Sequence, residues 1–277
     1  MNLYLPTVTT ITAIVDESHD VRTLRLVFQD PAVAESFHFK AGNFGHFSAF
    51  GAGESVFCIA SPPTRRGYIE CSFKAVGKVT HALRKLCIGD PVGFRGPFGN
   101  AFPLDQMEGA NLLFIAGGIG MAPVRCAILN ALDLRDRYRD ITVIYGARTV
   151  EDLVFKKDLA AWAQGEGQVK LLQTVDPGGE GDGWQGHIGY VPSILKEAAP
   201  DPNNTHVIIC GPPVMILYAL PVLTELGFDE EKVWTTLENR MKCGIGKCAR
   251  CNVGAAYVCV DGPVFSAAQL RGLPADF

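Results

Sequence analysis

Four cysteines, Cys243, Cys248, Cys251 and Cys259, fall within 17 residues and are spaced C-x4-C-x2-C-x7-C in the segment CGIGKCARCNVGAAYVC. Thiols packed that closely, with Gly244, Gly246 and Ala249 between them, do not read as core. The first three match the opening of the plant-type 2Fe–2S ligand run. Small residues between ligands let the backbone bend and turn its N–H groups toward the sulfurs, which tunes a cluster's potential. A structural zinc ion held by four cysteines is the alternative. Zinc ribbons usually repeat a C-x2-C knuckle, and only Cys248 and Cys251 make that spacing, so the pattern favours iron–sulfur. Five further cysteines, at 58, 71, 87, 126 and 210, bring the total to nine. An odd number without a secretory signal argues against a disulfide framework and for a reducing, cytoplasmic setting.

The rest of the chain has to build the surroundings of that loop. Its 277 residues suggest two domains, taking about 150 residues for each. With 48% apolar and 19% charged residues it is neither a disordered chain nor a disulfide-dense miniature. The net charge is −4 and no Lys/Arg-rich run occurs, so a nucleic-acid partner is not expected. Residues 1–14 have no basic residue ahead of an apolar core. The most apolar stretch, 112–124, is far shorter than the ~20 residues of a membrane helix, so no integral membrane segment is expected.

Up to about residue 105 the pattern is of short strands broken by Gly/Pro turns, at 7–15, 21–28, 46–50, 55–60, 68–74 and 92–95, with one helix at 80–86. That spacing predicts an antiparallel β-barrel. From about 108 the texture changes to strands at 111–115, 141–145, 169–174, 207–210 and 233–237, alternating with helices near 121–137, 152–162 and 214–226. Such alternation predicts a doubly wound α/β domain with a parallel sheet.

Three motifs follow strands. In FIAGGIGMAPVR (114–125), Gly117, Gly118 and Gly120 permit a tight turn and close approach of a pyrophosphate to a helix N-terminus, and Pro123 sits where its missing N–H costs nothing. The pattern is G-x-G-x-x-P, distinct from the usual dinucleotide fingerprint. CGPPVM (210–215) also links a strand to a helix, putting Cys210 and backbone amides at the carboxyl edge, where open α/β sheets bind ligands. Alone, Cys210 reads as a small buried hydrophobe. YGAR (145–148) ends a strand, and Arg148 either meets an adenosine phosphate or ribose or is a solvated loop end. In KAVGKVTHAL (74–83), Thr80 caps a helix whose amides either face a phosphate or simply begin an ordinary capped helix.

These pieces, in this order, resemble the ferredoxin–NADP reductase superfamily. The likeness is to the branch with a C-terminal 2Fe–2S loop, which includes sulfhydrogenase gamma subunits, an anaerobic sulfite reductase subunit and the electron-transfer subunit of dihydroorotate dehydrogenase. It rests on GGIGMAP, CGPPVM and LENRMKCGIGKCARC…YVCVDGPVF and covers nearly the whole chain. The resemblance implies an FAD-binding antiparallel β-barrel at 1–105, an NAD(P)-binding α/β domain at 106–236 and a 2Fe–2S segment at 237–277. It implies that Phe57 packs on the flavin within a motif ending at Ser61, with Phe73 and Val76 beside it and Gly77, Val79 and Thr80 at its pyrophosphate. It further implies that Gly117, Gly118, Gly120, Met121, Ala122 and Pro123 hold the nicotinamide nucleotide's pyrophosphate, with Gly146 and Arg148 nearby. Cys210, Gly211, Pro212 and Met215 would sit at the nicotinamide ring, Cys58 and Cys210 would be the catalytic pair, and Cys243, Cys248, Cys251 and Cys259 would ligate the cluster. Two positions depart from the family pattern: Ser55 replaces an arginine that clamps the FAD phosphates, and Cys58 replaces a serine or threonine, a stronger donor. The family's C-terminal aromatic over the flavin is missing as well.

The three implied cofactors form a logical set. A nicotinamide moves two electrons as hydride, a cluster takes one at a time, and a flavin between them accepts a pair and releases singles. The six histidines show no ligand-like spacing, and Glu238, just before the cluster loop, either approaches the flavin or, as is commoner, is a solvated strand end. The expected function is an NAD(P)H-dependent electron-transfer subunit that passes electrons to a partner redox subunit or a ferredoxin. A hydrogenase, sulfur- or sulfite-reducing or heterodisulfide-reductase-type complex is favoured over a dihydroorotate dehydrogenase or transhydrogenase assembly. The reading from another class is a zinc-binding interaction module with a decayed flavin site.

Overall fold

A computed structural model describes residues 3–274; residues 1, 2 and 275–277, which the expected domain limits include, lie outside the described residues. The first unit consists of β1 (Thr7–Asp16), β2 (Val21–Phe28), α1 (Pro31–Ser36), β3 (Phe44–Ala49), β4 (Gly53–Cys58), β5 (Ile69–Lys74), α2 (Lys78–Arg84) and β6 (Pro91–Phe98). The six strands form one antiparallel sheet in the order β4-β3-β6-β1-β2-β5. Alternation drives it: Leu24 and Leu26 of β2 turn inward with Phe47, Phe73 and Phe94, all buried. The sheet curls until its ends meet, with the Phe57 and Phe73 rings 5.5 Å apart and the Ala60 N–H donating to the Glu70 carbonyl at 2.8 Å. No ladder joins β4 to β5, so the expected barrel is a half-barrel.

The second unit runs β7 (Asn111–Gly117), α3 (Met121–Asp133), β8 (Ile141–Ala147), α4 (Lys156–Ala163), β9 (Val169–Val175), β10 (His187–Ile188), α5 (Val191–Ala198), β11 (Thr205–Cys210), α6 (Pro213–Glu225) and β12 (Val233–Thr236). Its strands are parallel, in the order β10-β9-β8-β7-β11-β12. Leu112, Phe114 and Ala116 of β7 pack toward α3 and α4, whereas Leu113 and Ile115 pack toward α5 and α6. Apolar residues on both faces are what a two-sided parallel sheet requires. The winding direction reverses between β7 and β11, and there the strand ends form a crevice.

After β12 the chain leaves the sheet and forms the cysteine loop with its two-residue strands β13 (Asn252–Val253) and β14 (Ala256–Tyr257). It then returns as β15 (Val264–Ser266), antiparallel to β12, before closing with α7 (Ala267–Arg271). The cysteine segment is thus an excursion out of the edge of the parallel sheet. The strand expectations hold to within a few residues. α1, α5, α7, β10, β13, β14 and β15 were not expected, and the helix expected from 152 begins at Lys156, after Phe155 turns through φ 57°.

Candidate redox site

The crevice between β7 and β11 is built by glycines that admit no side chain. A Cβ on Gly120 would lie 2.5 Å from the Cys210 carbonyl oxygen, and one on Gly117 would meet the Met215 sulfur at 2.5 Å and Pro212 at 3.0 Å. The Gly-rich turn and the Cys210–Gly211–Pro212 turn are therefore pressed together, with buried Met215 beneath them. Gly118 adopts φ +52° with open space around its α-carbon, and α3 begins immediately after it with Met121, Ala122 and Pro123. A residue the motif reading missed secures the turn. The Tyr145 hydroxyl donates to the Gly118 carbonyl at 3.2 Å and accepts from the Val154 N–H at 3.0 Å. A tyrosine at the end of a buried strand needs such partners, which was the available signal. Gly146 serves packing: a Cβ there would meet Val191 and Thr174. Arg148 is exposed beside Asp176, whose carboxyl burial raises and Arg148 lowers.

The half-barrel presents the end of β4 to this crevice. Burial pushes the Cys58 thiol well above its ordinary value, with Cys210 the next contributor, so the two catalytic candidates lie close together. Cys210 Sγ is 3.1 Å from Thr236 Oγ1, and burial pushes its thiol up to about 12. Both stay protonated at neutral pH. Glu238, read as either near the flavin or a solvated strand end, is exposed. It keeps contact with water, yet the surrounding protein raises its carboxyl, and it is near enough to act on both thiols. Beside it a recess of about 260 Å³ runs past Ser55, Val56, Asn239 and Met241.

Behind Phe57 stand residues with supporting contacts. Phe73 is buried, and the Ser61 hydroxyl accepts from the Glu70 N–H at 3.1 Å. At the start of α2, Thr80 Oγ1 accepts from the N–H groups of Val76 and Gly77 at 3.0 and 2.8 Å. Val76 and Gly77 are exposed and Val79 is half-buried. A Cβ on Gly77 would meet only the Thr80 hydroxyl, at 4.0 Å, which leaves bare backbone open to a phosphate-bearing ligand.

The loop cysteines pair off, Cys243 with Cys248 and Cys251 with Cys259, and among the described residues no three His, Cys, Asp or Glu side chains are drawn together into metal-holding range. Cys243 Sγ accepts from the N–H groups of Ile245 (3.4 Å) and Lys247 (3.3 Å), and Cys259 Sγ accepts from Gly246 (3.2 Å). Burial opposes ionisation of Cys243, but these amides and the Cys248 contact bring its thiol down to about 6. Burial and the Cys251 contact hold Cys259 up at about 12. Gly244 (φ 78°) and Gly246 (φ 71°) supply the left-handed turns that aim the amides. Thiol ligands with amide donors on their sulfurs fit an iron–sulfur cluster. The loop packs on the outer face of the half-barrel, where Cys251, Cys259 and Val258 meet Phe44 and Phe98. Only Cys248 of the four is exposed.

A half-barrel facing the switch point of a parallel sheet, with a thiol-rich loop alongside, defines a flavin- and nicotinamide-dependent reductase that carries an iron–sulfur appendage. Family models match in the same order: an oxidoreductase FAD-binding domain at 8–102, an oxidoreductase NAD-binding domain at 114–220, and the iron–sulfur cluster binding domain of dihydroorotate dehydrogenase B at 238–271. Sulfhydrogenase 1 subunit gamma of Pyrococcus furiosus is 43% identical over 89% of this chain and 86% of its own length. A probable dihydroorotate dehydrogenase B electron transfer subunit of Methanocaldococcus jannaschii is 31% identical over 96% and 91%. Among solved structures, the NADH-dependent reduced ferredoxin–NADP oxidoreductase superposes with a TM-score of 0.76 at 24% identity, covering 97% of this chain and 90% of that one. The chain belongs to the family of electron-transfer subunits that holds these sulfhydrogenase gamma and dihydroorotate dehydrogenase B proteins. It is an oxidoreductase with FAD-, NAD- and iron–sulfur-binding domains, and the zinc-module alternative falls with the iron–sulfur match. Among the described residues no helix is long and apolar enough to cross a membrane.

Proposed function

We propose that this chain moves electrons between NAD(P)H and a partner redox subunit of a cytoplasmic hydrogenase-type or sulfur-reducing complex. The observation that carries the reading is the alignment of three sites along one chain. The Gly118–Cys210 crevice faces Cys58 and Phe57 at the barrel mouth, and the cysteine loop lies on that barrel's outer face. A bound flavin supplies the conversion between hydride pairs and single electrons. The protein's task is alignment. Gly117, Gly118, Gly120, Ala122 and Pro123 would seat the nucleotide pyrophosphate, and Gly211 and Pro212 would leave room for the nicotinamide. Phe57, Gly77, Val79 and Thr80 would hold the flavin, while Cys58 and Cys210, both kept as thiols, would bound the reacting faces without competing as thiolates. Cys243, Cys248, Cys251 and Cys259 would ligate a 2Fe–2S cluster, and exposed Cys248 marks the side nearest a partner. The 43% identity to a sulfhydrogenase gamma subunit supports that type of complex over dihydroorotate oxidation.

The test is an anaerobic visible spectrum before and after addition of NADH or NADPH. Flavin bands and a broad iron–sulfur shoulder, both bleached by one nucleotide, are expected. A featureless protein that binds zinc would overturn the reading.

A further inference from the structure

His46, on β3, is 1% exposed and lies under the cysteine loop. Its Nδ1 is 3.3 Å from Glu54 Oε1, and Glu54 is held in turn by Arg95, whose Nε and terminal nitrogen donate to both carboxylate oxygens at 3.0 and 2.6 Å. Arg95 is itself buried and also donates to the Leu3 carbonyl at 2.8 Å. The other imidazole nitrogen, Nε2, is buried without a hydrogen-bond partner. It faces the cluster loop: a Cβ on Gly244, the residue after Cys243, would lie 3.0 Å from it. The Phe44 and Phe98 rings hem the imidazole in, at 6.2 and 5.6 Å.

A buried polar atom without a partner calls for an explanation. The carboxylate of Glu54 fixes the proton on Nδ1, which leaves a bare lone pair at Nε2. That lone pair is negative partial charge on a buried atom, beside the backbone that carries a cluster ligand. We propose that His46, oriented by Glu54 and Arg95, is a positioning residue for the iron–sulfur centre and holds its reduction potential low. Reduction adds an electron to the cluster, and partial negative charge nearby opposes that. The Cys243 sulfur receives amide donors from its own loop, so the barrel contributes the opposing influence.

This inference rests on the iron–sulfur reading, and one experiment separates the two. The intact, cluster-loaded protein is titrated potentiometrically, with the cluster followed by EPR, alongside His46→Leu and Glu54→Gln. His46→Leu removes the lone pair. Glu54→Gln frees the imidazole to place its proton on Nε2 and also removes the carboxylate charge that faces Lys242 beside the loop. Both midpoints should move upward, with the larger rise in Glu54→Gln. At a fixed potential the reduced-to-oxidised ratio should rise about tenfold there, which is about 59 mV for a one-electron couple. Midpoints that stay put or fall in both loaded variants overturn the inference and leave the cluster reading intact. Loss of iron from both variants would make His46 a structural prop and also overturn it. Absence of iron from the wild-type protein would overturn the iron–sulfur reading itself.

Discussion

Single atoms decide the chemistry here, and the clearest case is a hydrogen. Gly120 has no room for a methyl group against the Cys210 carbonyl, so Gly120→Ala must push the two turns apart. Overpacking of this kind costs about 1–3 kcal/mol. Because the displaced atoms line the proposed nucleotide crevice, kcat/KM for NAD(P)H-driven dye reduction should fall at least about tenfold while bound flavin is retained. Stopped-flow reduction and flavin content check this. His46 gives the second residue-scale outcome. Burial is the main force holding its pKa down at about 4, with Glu54 raising it and Arg95 and Lys242 lowering it. The unfolded chain, with a value near 6.5, takes up that proton first. The stability from this group is therefore intact above pH 6.5 and lost as pH falls toward 4, by about 3 kcal/mol. Urea unfolding at pH 7 and pH 4.5 should show the loss, and His46→Leu should flatten that part of the profile.

At the scale of elements, the sequence betrayed those whose pattern answers to local rules. β2 alternates and β7 is apolar on both faces, and each could be read from its own residues. α1 also carried a local signal, Asp30 capping the N–H of Ala32 with Pro31 in the first turn, which the strand pattern around it obscured. β15 could not be read locally. Three residues pair with β12 only because the intervening loop is docked, and the docking depends on Asn100, far away in sequence. Its side chain donates to the carbonyls of Asp261 and Val264 at 2.8 and 2.7 Å and accepts from the Val264 N–H at 2.8 Å. The same limit applies to the site. The cysteines and glycines of the proposed site were singled out from spacing, whereas the contacts of Tyr145 and His46 exist only through neighbours supplied by the fold. Asn100→Ala should unpin the loop, costing about 2–3 kcal/mol for three bonds. Limited proteolysis should then cut within 238–263 before the half-barrel, with iron lost in proportion.

At the scale of the whole molecule, Arg125 on α3 reaches across to the half-barrel. Its guanidinium donates to Glu70 Oε2 at 2.8 Å and the Ala60 carbonyl at 3.2 Å, pairs with Asp158 of its own unit and lies 4.6 Å over the Phe155 ring. Glu70 is buried, so removing the arginine leaves a carboxylate that Arg25 only half compensates. Arg125→Met should cost about 3 kcal/mol, whereas Arg65→Ala, which breaks the more exposed pair with Asp133, should cost less than about 1 kcal/mol. Urea unfolding of the two variants should show the larger loss in Arg125→Met; equal losses would contradict this account of the contact. The return of β15 to the parallel sheet bears on how such a protein is made. The segment carrying the four thiols has both ends in one sheet and its body on the other, so its seat exists only after both units have folded and met. Iron can therefore be seated only where both units have come together, and iron content reports whether they have.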